Sequence, residues 1–138
     1  MTFVTDRTLA DVEARNAKGT YNYTDLNRVI SNCNQIASDL TAAGYPVTLT
    51  WSRTNWTRTQ IPDETYMTEY LTNINLLKSA IPNNTPSAPA SMAYLTYEGA
   101  NDIERILEEL DTLRQNVEAI YPRSGTMYSG AVIYEVTN

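Results

Sequence analysis

Four carboxylates in one stretch, Glu104, Glu108, Glu109 and Asp111, are the nearest this chain comes to a reaction centre. Glu104 and Glu108 stand four residues apart, which places them on one face of a helix, as carboxylate-bridged metal bundles require. Those bundles also use a Glu-x-x-His motif, and the sequence contains no histidine. The same absence removes the commonest general base near neutral pH. The cluster therefore reads as a solvated helix face. Asp102 with Arg105, Glu104 with Arg105, and Asp25 with Arg28 read as surface pairings, each worth about 0.2–0.5 kcal/mol.

Cys33 is the single cysteine, so no internal disulfide can form and the fold rests on packing. It falls within the apolar stripe of Val29, Ile30, Ile36 and Ala37, where burial raises a thiol's pKa and leaves it inert. Ten tyrosines and two tryptophans offer ring faces that stack on sugars, but aromatics with one polar end more often fill a core boundary. Tyr23, Tyr70, Tyr97, Trp51 and Trp56 are expected there. No glycine-rich phosphate loop, paired-cysteine motif or serine elbow occurs. The sequence thus assigns no catalytic residue, no metal ligand and no cofactor.

Elements must position whatever remains. A chain of 138 residues fits one domain with one modest core, here 1–138. The net charge of −6 without a basic stripe disfavours nucleic acid, whose binding depends on neutralising phosphates. No run approaches the length of a membrane span, and Met1 to Asp6 lacks the basic and apolar regions of a secretory leader. The expectation is a soluble protein made in the cytoplasm, with its three Asn-x-Thr sequons (Asn22, Asn55 and Asn83) coincidental.

Periodicity predicts a mainly α fold, a small bundle of about four helices with one or two short β-strands. Thr5 or Asp6 can cap a short first helix, with Leu9, Ala10 and Val12 near one face and Gly19 as its stop. Thr24 looks like the cap of a longer one carrying Leu26, Val29, Ile30, Cys33, Ile36, Ala37 and Leu40 up to Gly44. Val47 to Trp51 alternates apolar with polar residues and reads as a half-buried strand. Pro62 suits the first turn of a third helix with Met67, Tyr70, Leu71, Ile74 and Leu77 on one side. The prolines of 82–91 read as an extended linker. The last helix begins at Thr96 and carries Ile103, Ile106, Leu107, Leu110, Leu113, Val117 and Ile120. Residues 124–138 read as an extended tail, strand-like from Tyr128 to Val136. Ile106, Leu110 and Leu113 are expected to pack against Val29, Cys33, Ile36 and Leu40.

Six runs carry a resemblance that spans the chain: Thr5-Asp6-Arg7-Thr8 with Ala10-Asp11-Val12, Thr20 to Val29, Trp56-Thr57 with Ile61-Pro62, Leu95 to Glu98, Ala100 to Glu104, and Tyr128-Ser129-Gly130. In these runs the chain resembles a family of short proteins encoded among the structural genes of tailed phages and prophages of Gram-positive bacteria. It departs from many relatives in having only Glu13 to Lys18 before the Tyr-Asn-Tyr run, and in carrying Ile30 where they have Glu. The resemblance implies a non-enzymatic virion component, from the tail, baseplate or fibre region, that assembles with other virion proteins or with itself. The alternative is a module for host-surface glycan or receptor. The candidate contact residues are Trp56, Tyr128, Val132, Ile133, Tyr134 and Val136, the last five in a tail that pairs with another chain or, equally, at home with Val47 to Trp51.

Overall fold

A computed structural model describes residues 1–120, with the backbone alone for 118–120. Its four helices are α1 (Leu9–Ala14), α2 (Tyr23–Ala42), α3 (Glu64–Ala80) and α4 (Tyr97–Ile120). The mainly helical reading holds, and among the described residues no β-strand forms. The C-terminal strand expected from Tyr128 to Val136 lies outside the described residues.

Caps fall close to their expected places. Asn22, two residues before the expected Thr24, caps α2 in a reciprocal box with Asp25. Thr24 instead hydrogen-bonds Asn22 Oδ1 from inside the first turn. Thr8 caps α1 through the same kind of box with Asp11, and Arg15 ends it in the left-handed conformation. Gly19 is not that helix's stop. A Cβ there would lie 2.1 Å from the Asp11 carbonyl oxygen, so glycine lets the returning chain lie against α1. Asp63, rather than a residue before Pro62, caps α3, and Thr96 Oγ1 accepts from the Gly99 amide at the head of α4.

The core is shared by three helices. Val29, Cys33, Ile36 and Leu40 from α2 are fully buried with Ile106 and Leu110 from α4, while Leu113 lies partly buried at the edge. Tyr70, Leu71, Ile74 and Leu77 bring α3 into the same cluster. α2 and α4 run parallel: Arg28 meets Glu104 near their starts, and Asp39 meets Arg114 near their ends. A parallel pair requires the intervening chain to cross back along the bundle, and Val47 to Trp56 makes the first crossing, meeting Thr41, Asn34 and Asn27 of α2 in turn before α3 begins. The buried Cys33 thiol is pushed well above its ordinary value by desolvation.

Val47 to Trp51 keeps the expected alternation, with Tyr45, Val47, Leu49 and Trp51 half-buried and the residues between them exposed. What it lacks is a partner strand. Asn73 of α3 takes that place, accepting from the Thr50 amide at 3.1 Å and donating to the Thr50 carbonyl at 2.8 Å. The device recurs once on each long helix. Asn27 of α2 accepts from the Trp56 amide and donates to its carbonyl, at 2.7 and 2.8 Å. Asn101 of α4 does the same to Arg7, at 3.0 and 2.9 Å. An Asn side chain presents one donor and one acceptor side by side, so it satisfies both polar groups of one extended residue as a neighbouring strand does.

Burial sets the expected cost of losing each clamp. Asn101→Ala strands the buried amide and carbonyl of Arg7 and should cost about 1–3 kcal/mol for each group left unpaired. Asn73→Ala should cost less, because Thr50 is exposed and water replaces the amide. Urea denaturation of the two variants tests this order.

Candidate functional site

The carboxylate singled out for chemistry, Glu104, is not on a solvated face. Its side chain is fully buried and accepts four hydrogen bonds. Two come from Arg28, Nε at 2.9 Å and an η nitrogen at 2.7 Å; one comes from Arg7 at 2.7 Å and one from the Val4 amide at 3.0 Å. Asp25, also buried, accepts from Arg28 at 2.6 Å, from Arg7 at 3.3 Å and from the Asn22 amide at 2.8 Å. Two guanidinium groups and two carboxylates thus balance in charge. The fork of Arg28 meets Glu104 in the bidentate geometry that makes such pairs strongest.

These pairings correct the surface reading of Asp25–Arg28 and of Glu104. The Asp25–Arg28 pair forms, but inside the network, and Glu104 reaches across the fold to Arg7 and Arg28 rather than to Arg105. Only Asp102–Arg105 behaves as expected, partly exposed at 3.2 Å. Arg28 is driven further above its ordinary value, first by its hydrogen bonds to Glu104 and, against desolvation, by those to Asp25. Next to the network the Tyr21 and Tyr70 hydroxyls bond to one another, and the Arg7 guanidinium lies 5.5 Å from the centre of the Tyr21 ring. Burial pushes both phenols well above their ordinary range.

Chemically the network is a lock rather than a reaction centre. Glu104 accepts four hydrogen bonds from the protein and Asp25 three, both facing guanidinium groups that hold their protons throughout the physiological range, while the buried Nε of Arg7 has no hydrogen-bond partner among the described residues. Its mechanical role is clear from what it joins. Residues 1–8 form no helix, yet Val4, Arg7 and their neighbours are tied to α2 and α4 through Glu104, Asn101 and Asp25, and Arg105 donates to the Thr5 carbonyl. Among the described residues no cluster of acidic, cysteine or histidine side chains could hold a metal ion, and no helix is long and apolar enough to cross a membrane.

Comparison with known protein families, with curated proteins and with solved structures finds no match. The chain's own surface must therefore show where it meets other molecules. Trp56 is 3% exposed, packed edge-on to Tyr66 and covered by the Arg53 guanidinium 4.8 Å above its ring. It is core, and it offers no face to a sugar. Tyr128, Val132, Ile133, Tyr134 and Val136 lie outside the described residues.

The surface feature that sequence reasoning missed is a groove of about 1300 Å³ between the start of α2, one side of α3 and the chain from Ala88 to Leu95. Leu26, Met67, Leu71, Met92 and Leu95 supply its apolar lining. The expected linker at 82–91 is therefore a wall: Ala88 packs against the core, and Asn83 folds the chain back by donating to the carbonyls of Lys78 and Ile81. Val12 and Tyr23, 38% and 36% exposed, line it beside polar residues such as Arg15, Arg58, Asp63 and Glu64. Tyr94 is fully exposed in the left-handed backbone region, where a non-glycine residue is uncommon. α1, beside the groove, has no buried residue at all.

Proposed function

We propose that this protein is a non-enzymatic structural component of a tailed-phage virion, a tail, baseplate or fibre-associated module that works by docking onto other virion proteins and onto copies of itself. The observation that carries the reading is where the family-like runs meet. Arg7, Asp25, Arg28, Asn101 and Glu104 come from three of those runs, and they close on one another in a largely buried network. Asn27 and Trp56 tie a fourth to the same scaffold. Residues that a catalyst would turn toward substrate are here spent on holding the chain in one shape. Two exposed apolar residues, Val12 and Tyr23, line the groove, as on surfaces that await a partner.

The test is mass spectrometry of purified particles from an induced or infected host that encodes the chain. The expected result is its recovery at a fixed ratio to the other tail proteins. Repeated absence from intact particles overturns the proposal.

A further inference from the structure

We infer that the groove across α3 is the docking site of this chain's own C-terminal segment, Ala131–Val136, which folds back from the end of α4 and lies there as an extended strand clamped by Asn75. The inference goes beyond the assembly reading and does not depend on it, because it concerns the single chain.

The first argument is where backbone partners are left. Each of the three long helices carries an asparagine whose side chain takes both the amide and the carbonyl of one extended residue. Asn75 is a further helix-borne asparagine, exposed in the groove lining one turn beyond Leu71 and two beyond Met67, and among the described residues its amide has no partner. It can make the same two bonds to an arriving strand. The competing place for the segment, beside Val47 to Trp51, is already taken. Thr41 Oγ1 bonds the amide and carbonyl of Val47, Asn73 bonds those of Thr50, and Glu69 accepts from the Ser52 amide. Val47 and Thr50 turn their polar groups to opposite edges of an extended chain, so α2 closes one edge and α3 the other.

The second argument is fit. Asp63 and Asn75 both line the groove, which gives it a length of about 18 Å along α3 at 1.5 Å per residue. Six extended residues cover about 20 Å. Along Ala131–Val136 the large residues Val132, Tyr134 and Val136 fall on one side of an extended chain. Leu26, Met67, Leu71, Met92 and Leu95 supply an apolar floor for them, and the unbranched methionines adapt to the shape that arrives.

The third argument is reach, and it selects the same chain. Val47 to Trp56 meets Thr41, Asn34 and Asn27 of α2 in descending order, and along it Asn73, Glu69 and Tyr66 of α3 also descend. α3 therefore runs in the same direction as α2, and so as α4. With Arg28 at Glu104 and Asp39 at Arg114, Asn75 stands level with the later part of α4, about 10–15 Å along the axis short of Ile120. Crossing to α3 adds about one helix diameter, 10–12 Å. The ten residues from Tyr121 to Gly130 span about 16–19 Å as a flexible chain, which matches that gap. Pro122, Gly125 and Gly130 suit the reversal of direction that the path requires. A tether whose natural span equals the gap holds its segment at an effective concentration in the millimolar range. A second copy competes only when the protein itself is that concentrated, and any other partner of the groove must displace the tail.

The experiment uses the full-length chain, whose native thiol, Cys33, is buried and unreactive. Asn75→Cys is combined in one chain with Ala131→Cys, Val132→Cys or Ile133→Cys and oxidised with glutathione disulfide at low micromolar concentration. The control pairs the same tail positions with Gln115→Cys, which is exposed on α4 and closer to the tail in sequence. The expected result is closure within one chain, at one or more of the tail positions, several-fold faster with Asn75→Cys than with Gln115→Cys despite the longer loop. A second measurement tests competition. A labelled peptide of residues 129–138 should bind the full-length Val132→Asp/Tyr134→Asp chain, whose own tail no longer fits, at least tenfold more tightly than the unaltered chain. Adding Asn75→Arg to that variant should abolish the binding, with circular dichroism showing the helices intact. Closure no faster than the control, a product that joins two chains at these concentrations, or equal peptide binding to the altered and unaltered chains each overturns the inference. Closure in a protein absent from particles would retain this contact and remove the virion reading; presence in particles without closure would do the reverse.

Discussion

Glu104→Ala should remove about 3–5 kcal/mol of stability, the loss expected when one partner of a buried ion pair is deleted and the opposite charges stay behind. Both Arg7 and Arg28 lose their bonds to Glu104, and the Val4 amide loses its acceptor. Asp25 remains as a partner for both guanidinium groups, but one carboxylate then faces two cations, Arg7 buried and Arg28 partly buried. Against a total of about 5–15 kcal/mol for a domain of this size, the loss removes a large part of the margin. Glu108→Ala is the matched control: the residue is one turn further along the same helix and exposed, so its loss should stay within about 0.5 kcal/mol. Chemical denaturation of both variants measures the difference. Equal, small effects at the two positions would remove Glu104 from the interior and dissolve the network.

A second variant separates the lock from simple packing. Replacing Arg28 by Met keeps the aliphatic stem and removes the bidentate fork, so Glu104 retains only Arg7 and the Val4 amide. If the network acts as a unit, Glu104→Ala and Arg28→Met are strongly non-additive, because each removes the interaction the other was made to remove. Additive losses would mean that the two residues stabilise the fold separately.

The contrast between Glu104 and Glu108 also marks what was legible in the sequence. The four helices follow from apolar residues at three- and four-residue steps, because that spacing is a property of each helix alone. Glu104 sits inside such a stripe, four residues after Ala100 and three before Leu107, all buried. An acidic residue there signals an internal cation, and the signal was obscured by Arg105 beside it, a local partner that spacing alone makes plausible. The true partners, Arg7 and Arg28, lie 97 and 76 residues away in sequence, and no local pattern encodes that distance.

The same reasoning explains Val47 to Trp51 and Trp56. Alternation correctly gave a half-buried extended segment, because side-chain direction depends only on the backbone. Strand formation depends on a second extended segment alongside, and here the partner is a single asparagine on a helix. Trp56 was marked for contact by its aromatic character, whereas Asn27 draws its backbone against α2 and buries the ring. The groove was illegible for a related reason. Its floor and walls come from α2, α3 and the chain before α4, each of which reads on its own as ordinary core or linker.

Leu110→Ala should cost about 2–5 kcal/mol, the range for a buried leucine whose removal leaves a cavity that its surroundings only partly fill. Leu110 has no exposed surface and lies in the cluster to which α2, α3 and α4 all contribute, so collapse around the missing atoms would have to move a helix. Exposure predicts an order for three leucines. Leu113, one turn along α4 and only partly buried at the cluster's edge, should lose less than Leu110. Leu76 on α3, 43% exposed, should lose little. Urea unfolding at constant slope measures all three, and the constant slope matters because a change in it signals an altered unfolded state or lost cooperativity rather than a lost contact. The order Leu110, Leu113, Leu76 supports a single core in which α4 supplies the central layer. A loss below about 0.5 kcal/mol at Leu110 would place that residue outside the core and break the α2–α4 packing.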